Sequence, residues 1–577
     1  VTVPPVAPAV VADVLDALPP RLRKRVDASL GRAAEWDVVV EGDSAKAALD
    51  EETTLRWGLR GGVLAAADDL VCGCLLAPKC LHRGIAVAAA EVAEGGEPEV
   101  VAEPAAEVAE DVEVVEVRAD EREAASALWD AVATVLRGGV AGSGAVVRAE
   151  LLRAVHSARV AGLHRAAAGG LRVAAALAGA RAGADSFDRE VLTEDLTELL
   201  LLCHDLRSGI GDPGELRGTA RREYRPAGAL RLYGLCTETV VASSGYGGVV
   251  THLATEDGVL WTVQAVLPGG AERVAPAADG PVALGESGLS HRALGRGGLL
   301  LSGGTASADR RLGAGQAVRA VAAAGVDWSA PPLTALWERP LSEQVAAAAL
   351  AARRPDGHRP AGDDLLFLDA LVLGPSGSAL RVVVQGAELD LIAFGERARQ
   401  NLRVLGQSPG TRTRFIARLR PDQPGTAVAI AVSGGLALPG DRNGRMDLGL
   451  DRIQRSHLPE GTAVPQRPTP HQDRVPAPLR PLANAVHRVA VGGRSAAAFT
   501  ATDRDVARLT AIGMTATATV LADLSATARD RHRDAFGRVR QDQGDAFPTA
   551  WLRAALHVRE TTRASARRGW QAVVSTG

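Results

Sequence analysis

At 577 residues the chain exceeds what one hydrophobic core supports, and about three to five domains are expected from the usual domain size of roughly 100–200 residues. Hydrophobic residues make up 46% and charged residues 23% of the chain, with a mean hydropathy of +0.04 and no run of about 18 apolar residues, which excludes an apolar spanning segment and a charge-dominated disordered chain. The net charge of -3 excludes a global basic field for nucleic acid, so any such affinity has to be local.

The first residues, VTVPPVAPAVVADVLDALPP, place no basic leader ahead of an apolar core, so a cytoplasmic location without a membrane segment is expected. Thiols stay reduced there, and an odd set of five cysteines favours metal binding or reactivity over a disulfide framework. Residues 1–95 read as a small α+β module: a helix candidate around 10–30, strands at WDVVV and TLRWGL, the cluster VCGCLLAPKCLH at 71–82, and the apolar helix HRGIAVAAAEVA. Residues 91–117 carry ten acids and no base, the composition of a self-repelling linker.

Residues 118–212 read as an all-α domain. Asp120 with Glu123 suggests a capping box, and Leu128, Trp129, Val132, Val135 and Leu136 follow at helical spacing. Three more helix candidates follow, the last with Thr193 as its expected cap. At 216–330 the period changes to strands, and GGVVTHLATEDGVLWTVQAVLPGG reads as a hairpin turned by Asp257-Gly258. A second β-rich domain, a small sheet or barrel, is expected at 331–457 after the helix LSEQVAAAALAARR. A Pro-rich linker at 458–482 and a mainly helical domain at 483–577 complete the chain, the latter opening on a strand candidate, HRVAVGG. The expected fold class is thus multidomain α+β: a small α+β module, which the resemblance given below implies is a ββα zinc-finger module, an all-α domain, β-rich middle domains and a helical C-terminal domain.

The cluster carries the chemistry. Cys72 and Cys74 are two apart, a spacing that on an extended strand aims both thiols to one face, and Cys80 and His82 repeat it after a short loop. Three thiolates and an imidazole match a tetrahedral Zn²⁺ with every position filled, which describes one structural ion with no open site for an activated water. The competing readings are three buried thiols with a surface histidine, or a redox pair, although redox signatures are normally CxxC at a helix start. Cys203 and Cys236 read as buried core residues.

The order Cys-x-Cys, short loop, Cys-x-His, between strands and an apolar helix, resembles the SWIM zinc finger, whose pattern CxC-x(n)-CxH sits on a ββα frame. The resemblance covers about 40 of the 577 residues and implies Cys72, Cys74, Cys80 and His82 as the zinc ligands. LCTETVVASSGYGGVVTHL, GLSHRALGRGGLLLSGG and RLGAGQAVRAV are similar to the body of long SWIM proteins from actinobacteria. The SWIM resemblance implies binding to DNA or other proteins, with AAA+ ATPases or von Willebrand factor A type proteins as partner classes.

From 53 to 88 the cations Arg56, Arg60, Lys79 and Arg83 exceed the acids Asp68 and Asp69 by two, and a zinc ion with three thiolates subtracts one. That surplus is thin for a surface that must neutralise phosphates. Lys79 and Arg83 are expected to offset the anionic metal centre, and RLRKR at 21–25 to form a solvated helix face. The chain has no GxxxxGK[ST] loop, HExxH or GxSxG, and DRNGRMD at 441–447 reads as a polar turn, lacking the closing Glu of a calcium loop. The expected function is a non-enzymatic, zinc-binding protein-interaction adaptor, the alternative a DNA- or RNA-binding protein using the finger and its adjacent bases.

Overall fold

The computed structural model describes residues 3–50, 53–93, 116–184, 187–219, 222–242, 245–285, 287–313, 318–354, 358–461, 475–498, 501–530 and 544–575. Most of the acidic stretch 91–117, the centre of the Pro-rich stretch 458–482 and residues 314–317 of RLGAGQAVRAV therefore lie outside the described residues. The chain is multidomain α+β and divides into two compact units, residues 1–220 with 477–559, and residues 221–476 with 560–577. Among the described residues no helix is long and apolar enough to cross a membrane.

The first unit begins with helices α1 (Pro8–Ala17) and α2 (Pro20–Val26). An antiparallel sheet follows, β1 (Asp37–Glu41), β2 (Ser44–Ala48), β3 (Thr54–Gly58) and β4 (Leu70–Cys72) in that order, and then helix α3 (Leu81–Ala89). Val10, Val11, Val14 and Leu15 form the buried stripe of α1, and Leu55, Trp57, Leu70 and Cys72 the buried positions of β3 and β4, the period-2 and helical patterns expected of half-buried elements. Gly84 of α3 is where this layer closes: a Cβ there would lie 2.6 Å from Leu18 Cδ1 and 3.1 Å from Val26 Cγ2.

Four long helices come next: α4 (Ala119–Gly142), α5 (Ala145–Val160), α6 (His164–Ala182) and α7 (Arg189–Ser208). Leu128, Trp129, Val132, Val135 and Leu136 are all buried. The caps differ from the sequence expectation. In place of Asp120 with Glu123, Glu121 holds the start of α4: it accepts from the backbone N–H of the N-cap residue Arg118 at 2.8 Å and is also held by Arg217. Asp188 caps α7, and Thr193 lies within the helix, bonding Arg189 O at 2.7 Å and His487 Nδ1 at 3.0 Å. HRVAVGG is not a strand; it ends the helix Arg480–Gly492, which buries Leu482, Ala485, Val486 and Val489. α4 bends at Gly139, with φ 63°, where a Cβ would lie 2.3 Å from the Gly493 N atom. One apolar core draws on residues 3–92, 117–216 and 482–555.

The second unit holds a five-stranded antiparallel sheet, in the order Arg319–Ala323, Gly298–Ser302, Leu230–Val241, Tyr246–Ala254 and Leu260–Pro268. The Asp257-Gly258 hairpin is present, Gly258 having φ 79°. Beside the sheet stands a closed barrel of five strands, Leu365–Ser376, Ala379–Val384, Ala387–Ile392, Arg412–Leu419 and Thr426–Ser433. Its first strand pairs with the second and fourth, and its third closes on the fifth in parallel through Asp390↔Thr426 and Ile392↔Val428. The helix Glu396–Leu405 joins the third strand to the fourth, giving the connectivity of an OB-type Greek-key barrel. Sheet and barrel meet at Trp328, Trp337 and Phe367, with ring centroids 4.8 Å and 5.0 Å apart. Trp570 reaches the barrel core from the C-terminal helix and donates its indole N–H to Arg420 O at 3.0 Å.

Candidate metal centre

Strand β4 stops at Cys72, whose pairing with Leu55 of β3 turns it to the buried side. Gly73 still bonds Thr54 O at 2.8 Å, and the chain then leaves the sheet. Cys74 sits in the following turn rather than on an extended strand, with its carbonyl accepting from the Ala77 N–H at 3.0 Å. Cys80 is the N-cap residue of α3, and His82 lies in that helix's first turn. The extended-strand geometry expected for Cys72 and Cys74 is therefore replaced by a strand end and a turn, while Cys80 and His82, at the same spacing, sit at a helix start. The outcome is nevertheless convergent: one ligand atom from each of Cys72, Cys74, Cys80 and His82 lies within 4.8 Å of the others, and Cys72 Sγ is 3.8 Å from His82 Nδ1.

Burial and hydrogen bonding act unequally on the three thiols. Burial pushes Cys72 up to about 12 and also raises Cys80, against the Arg83 backbone N–H. Burial raises Cys74 too, but the N–H groups of Leu76 and Ala77 and the two neighbouring thiols outweigh it, leaving that thiol below its ordinary value. His82 is held below its usual range by burial and then by Arg32, which favours the neutral imidazole a metal needs. Backbone N–H groups aimed at Cys74 and Cys80 are the outer-shell donors that orient thiolate ligands. Three sulfurs and one ring nitrogen so arranged form a cluster able to hold a metal ion.

Arg83 is a positioning residue that its charge alone did not reveal. Its side chain is buried, donating to Pro78 O at 2.7 Å and to Ala67 O, so it ties the metal loop to the segment before β4. Arg83→Ala is expected to cost on the order of 3 kcal/mol, the loss of two charge-assisted bonds and of the packing of a buried side chain. Denaturant unfolding of the first unit measures it, and unchanged stability would contradict the role. Lys79 is exposed. In the RLRKR helix, Arg23 bonds Leu18 O at 3.3 Å, while Arg21 and Arg25 face solvent. Cys203 and Cys236 are fully buried, and Cys203 stands apart from the cluster.

A second polar centre, in the second unit, is assembled from residues far apart in the chain. Glu238 bonds His252 Nε2 at 2.9 Å and Arg418 at 2.6 Å; burial alone would raise its carboxyl, but Arg418 and His252 lower it to about 2. Asp447, from the DRNGRMD segment, accepts from the Thr237 N–H at 2.9 Å, and burial and the nearby Asp451 push it up to about 7. Asn443 bonds Arg296 O at 3.1 Å. The segment is thus a turn only at its start, Gly440–Arg442, and ends in a short buried strand, Arg445–Asp447, paired with Thr426–Ser433, rather than the polar turn expected throughout. Only the placing of Glu238 two residues from both Cys236 and Val240 in LYGLCTETV, on one strand face with them, hints at an inward acid.

No protein-family model matches the chain, and no curated protein or solved structure matches it.

Proposed function

We propose that the chain is a zinc-stabilised, non-enzymatic protein-interaction adaptor of SWIM type, with one Zn²⁺ bound by Cys72, Cys74, Cys80 and His82. Zn–S and Zn–N bonds of about 2.3 and 2.0 Å place the ligand atoms of a tetrahedral ion about 3.5–3.8 Å apart, so a slight contraction of the cluster suits it. With four protein ligands the ion has a structural task. It contributes folding free energy, and it fixes the loop between Cys74 and Cys80.

The observation that carries the adaptor reading is what that loop shows to solvent. Leu75 is 104% exposed, Leu76 64% and the neighbouring Val71 56%, an aliphatic tip on a rigid knuckle, while Arg83 is consumed inside. Exposed aliphatic side chains on a fixed loop suit an apolar socket on a protein partner. Phosphate contact needs several free cations there, and the loop carries Lys79 alone. The family resemblance points to AAA+ ATPases or von Willebrand factor A type proteins as that partner.

A photo-crosslinker placed at Leu75 in the intact chain tests the reading. A protein adduct is expected, lost in Leu76→Asp at unchanged zinc content. A nucleic-acid adduct, together with duplex-DNA affinity that falls steeply between low and physiological salt, would favour the DNA- or RNA-binding alternative and sink this one.

A further inference from the structure

We propose that the cleft between the barrel helix Glu396–Leu405 and residues 452–455 binds a multiply charged phosphate group on a small, nucleotide-sized ligand. The cleft has a volume of about 550 Å³, within the range of small-ligand sites. One wall is the helix face Gln400, Arg403 and Val404, three and four residues apart as a single helical face requires. The other wall carries Arg452 and Arg455, so among the described residues three guanidinium-bearing side chains line one cleft and no carboxylate does.

The fold fixes this imbalance. Asn401, buried at the base of the cleft, donates to Leu448 O and Asp451 O and accepts from the Ile453 N–H, all at 2.8 Å, stitching the segment to the helix. The two acids of that segment face the other way. Asp451 is taken up by Arg292, Arg296 and Arg442, and Asp447 is buried against Thr237. Arg452 and Arg455 are exposed, and among the described residues neither has a carboxylate within ion-pair distance. Arg403 has only Glu396, at 3.4 Å and with both side chains about 60% exposed, an ion pair weak enough to be exchanged for a ligand oxyanion.

Guanidinium groups match phosphate oxygens in bidentate pairs, and a phosphate monoester near pH 7 carries roughly 1.5–2 negative charges. A monocarboxylate would leave such a cleft under-neutralised. The open face of the barrel's second and third strands, where OB-type barrels take oligonucleotides, is less suited to phosphate: Arg381 is spent on Asp390 and Glu388 lies beside it.

Isothermal titration of the full-length protein with sodium pyrophosphate at low ionic strength tests the proposal. Binding at millimolar concentration or tighter is expected, weakened about tenfold or more in Arg452→Ala/Arg455→Ala, the loss of charge-assisted contacts. Arg455→Lys should recover part of it, keeping charge without the fork. Thermal unfolding of the variants should match wild type, since the replaced side chains are exposed. No binding in the millimolar range, or affinity unchanged in the double variant, would overturn the site. A single-stranded oligonucleotide that binds through the same two arginines while pyrophosphate does not would overturn the small ligand.

Discussion

Cys80→Ser is expected to lower the stability of the first unit by several kcal/mol and to leave the unfolding of the second unit where it is. Cys80 is 1% exposed and joins strand, loop and helix at the metal centre. Structural zinc supplies apparent free energies of about 10–16 kcal/mol in small zinc domains, and losing one thiolate forfeits much of this. The effect should reach beyond residues 37–89, because α1, α3 and the helices α4 to α7 share one apolar core and Arg148 of α5 bonds Ala88 O at 3.4 Å. A strong chelator should reproduce the loss in wild type and add nothing in Cys80→Ser. Cys203→Ala supplies the control: that thiol is equally buried but outside the cluster, so the variant should pay only a small cavity cost of about 1–2 kcal/mol and remain chelator-sensitive. Two-step urea unfolding followed by hydrogen exchange measures each unit. If Cys80→Ser and Cys203→Ala behave alike, the cluster does not hold the fold together.

Asp447→Asn is expected to stabilise the second unit at pH 8 and to do little at pH 4. The Asp447 carboxyl is pushed up to about 7 by burial and by Asp451, so between its unfolded value of about 3.8 and pH 7 the folded state holds a proton that the unfolded state has released. Stability from this group is therefore full below pH 4 and falls as pH rises to 7, by on the order of 4 kcal/mol. The Asn variant lacks that slope while keeping an oxygen for the Thr237 N–H. Glu238, lowered to about 2, has the opposite sign: its contribution is present above about pH 4.5 and fades in acid, leaving the interval from 5 to 8 to other groups. His291, held low by burial, adds stability as pH rises to about 6.5, in wild type and variant alike. Urea midpoints at pH 4, 6 and 8 give the test, and parallel profiles for the two proteins would refute the assignment.

What the sequence revealed and what it hid follow from range. The four side chains of the Cys/His cluster span 72 to 82, so local spacing pointed to their convergence, although the strand-end, turn and helix-cap geometry that unites them was not the one spacing suggested. Long helices such as α4 announced themselves because packing demands a 3.6-residue stripe, and Asp257-Gly258 marked its hairpin because positive φ restricts the turn. HRVAVGG misled because Val489 and Val491 alternate as a strand would, while Leu482, Val486 and Val489, read from further upstream, carry the helical period. Barrel closure through Asp390↔Thr426 and the pairing of Glu238 with Arg418 depend on residues far apart in sequence, where no local pattern reports a partner. Arg83 reads from its position as a cation offsetting the metal centre, and its tie to the Ala67 and Pro78 carbonyls is hidden because those partners come within reach only once the loop has folded.

The metal content of the purified protein tests the central claim most directly. Elemental analysis should find about one zinc per chain in wild type and none in Cys74→Ala; equal zinc in both, or no zinc in either, would contradict a four-ligand structural zinc centre.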